Sequence, residues 1–169
     1  MIAQKDSPIF LVGFMGAGKT TVGEALARLL DFDFFDLDRL IEARAGKTVA
    51  RIFSDLGEPE FRRLERKAIH SFRDQRRAVI ALGGGAYVAE ENRSVLRAIG
   101  KTVWLDCPLE ICLRRISDDK SRPLLGDYDQ MRTLLAQRRV SYEKADYVIG
   151  SGELTPEELA QTISRLLRQ

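Results

Sequence analysis

Apolar residues along this chain fall into two rhythms. Short, mainly apolar runs recur: "IFLV" at 9–12, "FDFF" at 32–35, "AVIAL" at 78–82, "TVWL" at 102–105 and "YVI" at 147–149. Each leads into a glycine or an aspartate, namely Gly13, Asp36, Gly83, Asp106 and Gly150. A run that is apolar on both faces suits a strand of a parallel sheet covered on both sides. Between the runs lie amphipathic stretches: "TTVGEALARLL", "EENRSVLRAI", "PLEICLRRI", "DQMRTLLAQRRVSYEKA" and "ELAQTISRLL". The last helix has a clear start, with Thr155 as N-cap, Pro156 in the first helical position and Glu158 closing a capping box. Strands alternating with crossover helices predict an α/β fold on a five-stranded parallel sheet.

Two segments break the alternation. Residues 37–75 read as helical throughout and are far longer than one crossover needs. Residues 117–127, "SDDKSRPLLGD", are polar, contain a proline and a glycine, and show no periodicity. Insertions of this kind in a small domain are usually binding subdomains or functional loops.

Composition narrows the class. A chain of 169 residues with 44% apolar content makes one domain with a real core. Charged residues are abundant at 31%, yet they balance to a net charge of +2. That balance argues against a general nucleic-acid or membrane-surface binder. No run approaches the roughly 18 apolar residues of a membrane span, and the polar first residues show no signal peptide. Cys107 and Cys112 are too few and too close for a disulfide framework or a four-ligand metal site, so a cytoplasmic location is expected.

The densest chemistry is "GFMGAGKTT" at 13–21. Gly13 to Thr20 satisfies G-x-x-x-x-G-K-[ST] in full, after a predicted strand and before a predicted helix. Glycines let successive N–H groups curl inward around an anion, and the helix presents its positive end to the same anion. Lys19 is expected to reach the outer phosphates of a nucleoside triphosphate, and the Thr20 hydroxyl to ligate Mg²⁺. A second oxygen ligand is needed near the loop. Asp36 and Asp38 stand at the end of the second strand, where a period of two can turn both to one side. Asp106 competes for the role and is expected instead to serve the turn before Pro108. Gly83, Gly84 and Gly85 close the third strand on the expected ligand edge, where they would let something approach the backbone N–H groups.

In order along the chain, "GAGKTT", "DLDRLIE", "IFSDLGEPEFRRLE", "ALGGGA", "RPLL" and "LLAQRRVSYEKAD" resemble the shikimate kinase family from the phosphate loop to the last helix. The phosphate loop alone is common to many nucleotide binders, whereas "FxxxGExxFRxxE" together with "LGGG" and "RPLL" is far more specific. The resemblance implies a P-loop kinase fold with sheet order 2-3-1-4-5. It implies a single domain over 1–169, with a shikimate-binding subdomain at 37–75 and a lid at 117–127. It implies transfer of the γ-phosphoryl group of ATP to the 3-hydroxyl of shikimate, with Mg²⁺, on the route to chorismate and the aromatic amino acids. By the same resemblance Gly16, Ala17, Gly18, Lys19, Thr20 and Thr21 hold the phosphates of ATP, and Thr20 and Asp36 arrange Mg²⁺. Asp38, Arg62, Gly84, Gly85 and Arg138 hold shikimate, Arg115 lies near adenine, and Arg122 closes from the lid. Lys19, Asp38 and Arg122 carry the catalysis, with Asp38 orienting the attacking hydroxyl and taking its proton. "QRR" offers both Arg138 and Arg139, and alignment on "LLAQR" and the following tyrosine favours Arg138. A monomer acting on a small molecule is expected, with no nucleic acid and no membrane as partner.

The residue chemistry agrees with that picture. A carboxylate held in a cleft calls for guanidinium forks, which Arg62 and Arg138 can supply. Glu65, three residues after Arg62 on one helical face, can orient such a fork. Arg63, Arg66, Arg76 and Arg77 read as solvated charge, and His70, the single histidine, as a surface or boundary residue.

Overall fold

A computed structural model describes residues 6–118 and 127–168. Arg122 and the middle of the expected lid lie outside these residues. The elements are β1 (Ile9–Val12), α1 (Lys19–Leu30), β2 (Asp33–Asp36), α2 (Leu37–Ala45), α3 (Val49–His70), β3 (Ala78–Ala81), α4 (Glu90–Ile99), β4 (Lys101–Asp106), α5 (Leu109–Asp118), α6 (Tyr128–Tyr142), β5 (Tyr147–Gly150) and α7 (Pro156–Leu166).

All five apolar runs become strands of one sheet, ordered β2-β3-β1-β4-β5. Every neighbouring pair is parallel, and β1 lies at the centre with Phe10 opposite both Ile80 and Thr102. Every residue of β1 and β3 is buried, which is why their sequences are apolar without alternation. β2 and β5 form the edges and admit exposed positions, Asp33 and Val148 among them. Helices complete the core, with Leu26 of α1, Leu96 of α4 and Ile163 of α7 fully buried. The strand order turns back between β1 and its two neighbours, and sheets of this kind bind ligands beyond the carboxyl ends of the strands at such a point. The loop after β1 lies there.

The stretch from 37 to 75 is not helical throughout. α2 stops at Gly46, whose φ of 64° is the left-handed value that ends many helices. Thr48 then caps α3 by accepting from the Arg51 amide at 3.2 Å. α3 itself is broken at Gly57, with φ 82° and ψ 167°. Pro59 follows in the first turn of the restarted helix, where its missing N–H costs little. Of the residues expected for the lid, Ser117 and Asp118 finish α5, and Asp127 caps α6 through the Gln130 amide. α7 begins with its full capping box. None of the described helices is long and apolar enough to cross a membrane.

Candidate active site

The loop from Gly13 to Thr20 wraps the start of α1. Gly16 has φ 77°, and a Cβ on it would stand 2.5 Å from the Cys112 carbonyl oxygen, so only glycine fits. Lys19 opens α1 and donates to the carbonyls of Gly13 at 2.9 Å and Phe14 at 2.8 Å. Its ammonium is thereby held over the loop it belongs to. Thr21 bonds back to the Gly18 carbonyl at 3.1 Å. Arg115 reaches across from α5 to the Gly16 carbonyl at 3.3 Å and packs against Gly18.

Asp36 is both the last residue of β2 and the N-cap of α2. One carboxylate oxygen accepts from the amides of Asp38 at 3.0 Å and Arg39 at 3.2 Å, and the other accepts from the Thr20 hydroxyl at 3.0 Å. Asp38 sits in the first turn of α2 and not on the strand. Both carboxylates do face the same cavity, but a helix start brings them there instead of strand alternation. That cavity, about 530 Å³, has the phosphate loop, Asp36, Asp38, Gly83 and Gly84 in its walls. Asp106 points elsewhere, into a pair with Arg139 at 3.2 Å.

The three glycines after β3 make room for side chains of the protein itself. A Cβ on Gly83 would lie 2.8 Å from Asp38 Oδ1, on Gly84 3.0 Å from Arg138 Nη1, and on Gly85 2.6 Å from Arg62 Nη2. Each glycine therefore admits one polar group from a different helix, α2, α6 or α3. The sequence suggested close approach to backbone amides; the close approach present is to these three side chains.

Arg62 is fixed by acids on its own helix. Nη1 meets both Glu65 oxygens at 2.9 and 3.0 Å, and Nη2 meets Glu58 at 3.3 Å. The Glu65 side chain is 1% exposed. Burial pushes its carboxyl above the ordinary range, and Arg62 is the strongest influence holding it down. The guanidinium lies over the Phe61 ring at 5.2 Å, and Phe61 packs against the half-exposed Phe53 with centroids 4.6 Å apart. The two arginines of "QRR" part company. Arg138 lies over Phe14 at 5.9 Å, beside Gly84, while Arg139 is taken up by Asp106, Glu143 and the face of Trp104. His70 is exposed at the end of α3.

Leu154, Pro156, Leu159 and Ile116 also line the cavity, and none of them was among the site residues expected from the sequence. A lone leucine in the otherwise polar turn "SGELTP" was the available signal. These apolar groups, with Arg115, suit a planar base. Among the described residues no three His, Cys, Asp or Glu side chains cluster to cage a metal. The oxygen pair of Thr20 and Asp36 nonetheless fits Mg²⁺, which commonly takes one or two protein oxygens and completes its shell from phosphate and water.

A family model described as shikimate kinase matches residues 15–168. A shikimate kinase of Bordetella pertussis is 44% identical over 162 residues, spanning 94% of this chain and 77% of that protein. One from Aquifex aeolicus is 39% identical over 156 residues, 92% of each chain. A solved structure of shikimate kinase from Acinetobacter baumannii in complex with shikimate superposes with a TM-score of 0.90 at 40% identity, covering 96% of this chain and 93% of that one. A sugar kinase from Janibacter, with a TM-score of 0.69 at 18% identity, shares the fold alone.

Proposed function

The chain belongs to the shikimate kinase family, and we propose how its site divides the work of moving the γ-phosphoryl group of ATP to the 3-hydroxyl of shikimate. Phosphoryl transfer is mostly positioning and neutralisation of charge. The amides of Gly16 to Thr21 and the Lys19 ammonium would hold the β and γ phosphates. Lys19 would exchange the carbonyls of Gly13 and Phe14 for phosphate oxygens. The Thr20 hydroxyl, donating to Asp36, keeps lone pairs for Mg²⁺, and Asp36 would hold a metal-bound water. When bound, Mg²⁺ supplies charge neutralisation at the phosphates. Adenine would lie by Arg115, Ile116 and Leu154. Arg122 is assigned to the transferring phosphate, on the family resemblance alone.

Shikimate would occupy the space enclosed by α2, α3, α6 and the triglycine. Arg62 and Arg138 would clamp its carboxylate, with Gly84 and Gly85 beneath, and the Phe53–Phe61 pair would flank the ring. Asp38 would orient the attacking hydroxyl and accept its proton. Residues 37–75 then form the substrate subdomain and 117–127 the lid, within one domain over 1–169 that works as a cytoplasmic monomer. The convergence of Asp38, Arg62 and Arg138 on three successive glycines beside the phosphate loop carries this reading. In a coupled assay, ADP release should require shikimate and Mg²⁺, stop on chelation, and yield a monophosphorylated shikimate by mass spectrometry. AMP should not substitute. ADP formed as readily with AMP would place the acceptor in a different class.

The triglycine gives a sharper expectation. Gly85→Ala puts a methyl group where the Arg62 guanidinium lies and must displace it. Misplacement by about 1 Å in a site of this kind can cost up to ~10²-fold. The KM for shikimate should rise by roughly tenfold or more, with the Kd of ATP within a factor of about two. Equal weakening of both ligands would place Gly85 in the fold and not in the substrate pocket.

A further inference from the structure

Tyr142, the last residue of α6, is given no role of its own above, yet it joins two elements of the site. Its side chain is fully buried, with the ring tilted against Trp104 at 5.9 Å between centroids. Its hydroxyl donates to the Gly84 carbonyl. Burial pushes the phenol up to about 12, so the hydroxyl stays a donor at any ordinary pH. Arg138 lies one helical turn earlier, on the same face of α6. Gly84 is thus held through its oxygen by Tyr142 and covered at its Cα by Arg138.

The carbonyls that follow are held from another side. Asn92 of α4 donates to Ala86 at 2.8 Å, and Arg93 donates to Tyr87 at 2.9 Å. Both side chains are buried. Those bonds tie the segment to a helix that supplies no substrate group. The Tyr142 bond ties it to the helix that carries Arg138. A long arginine side chain has many rotamers, so its useful position depends on where its helix is fixed.

We infer that Tyr142 is a positioning residue for the substrate carboxylate: its bond to Gly84 sets α6 against the triglycine segment and so aims Arg138. This rests on the carboxylate role proposed above for Arg138. A purely structural tyrosine would stabilise the fold without distinguishing one ligand group from another.

Tyr142→Phe removes the hydroxyl and keeps the ring. Calorimetric titrations with shikimate, its methyl ester and ATP, on the wild type, Tyr142→Phe, Arg138→Lys and the double variant, separate the two roles. Loss of one buried hydrogen bond predicts a rise of roughly three- to tenfold in the Kd of shikimate. The Kd of ATP and of the uncharged ester should stay within about twofold, and the double variant should bind shikimate no more weakly than Arg138→Lys alone. Equal losses on shikimate and ester, additivity with Arg138→Lys, or a lowered melting temperature with unchanged shikimate affinity would each overturn the inference. If Arg138→Lys binds shikimate like the wild type, the carboxylate reading falls and the Tyr142 role falls with it. If Arg138→Lys is weak while Tyr142→Phe is unaffected, only the Tyr142 role is lost.

Discussion

Lys19→Met should lower kcat by about 10²–10³-fold or more, the scale seen when one preorganised donor to developing charge is removed. The side chain is held over the phosphate loop by the carbonyls of Gly13 and Phe14, so its ammonium waits where a phosphate chain would lie. Methionine matches its length and apolar stem but supplies neither charge nor donor. The variant also loses two hydrogen bonds to the loop, which costs the empty enzyme something. Gly13 and Phe14 are buried, so each carbonyl left without its partner costs about 1–3 kcal/mol. The fold should survive, because β1 and the buried face of α1 hold the loop's two ends independently of Lys19. Single-turnover kinetics at saturating ATP and shikimate, beside a melting curve, give the reading. A native melting temperature with kcat within about twofold of the wild type would remove Lys19 from the chemistry.

Sequence legibility followed locality. The strands could be read because β1 and β3 are buried on both faces and show it as unbroken apolar runs. The phosphate loop could be read because its parts are contiguous, with its strand before it and its helix after it. The break in α3 was signalled too, by Gly57 and Pro59 two residues apart, but the apolar periodicity on both sides hid it. Asp38 was placed beside Asp36 for the wrong local reason, because the strand ends at Asp36, two residues short of where the alternation needs it.

What could not be read from the residues was the partnership of each glycine. Positions 38, 62 and 138 meet 83, 85 and 84 only after α2, α3 and α6 have packed on the sheet. No spacing in the chain announces that, and only the family resemblance named those side chains together. The choice between Arg138 and Arg139 is of the same kind. Adjacent positions on a helix point about 100° apart, and the packing sends Arg139 to Asp106 and Arg138 to Gly84.

Arg62→Lys tests that non-local assembly most severely. In the folded chain the guanidinium spans Glu65 and Glu58 while lying against Gly85 and the Phe61 ring. Lysine keeps a positive charge near Glu65, so the buried carboxylate is not left alone and the variant should remain folded. It loses the planar fork, which lets one side chain bond Glu65 and still offer donors to a ligand carboxylate. Breaking a buried, hydrogen-bonded charge pair typically costs about 2–5 kcal/mol. Because the charge is kept, the lower end applies: about 2 kcal/mol, or roughly thirtyfold in the Kd of shikimate. ATP should bind in the absence of shikimate within about twofold of the wild type, because Lys19, Thr20 and Asp36 belong to other elements. Isothermal titration of each ligand against the variant decides it. Retained shikimate affinity with weakened ATP would make Arg62 a nucleotide residue and move the carboxylate pocket away from α3.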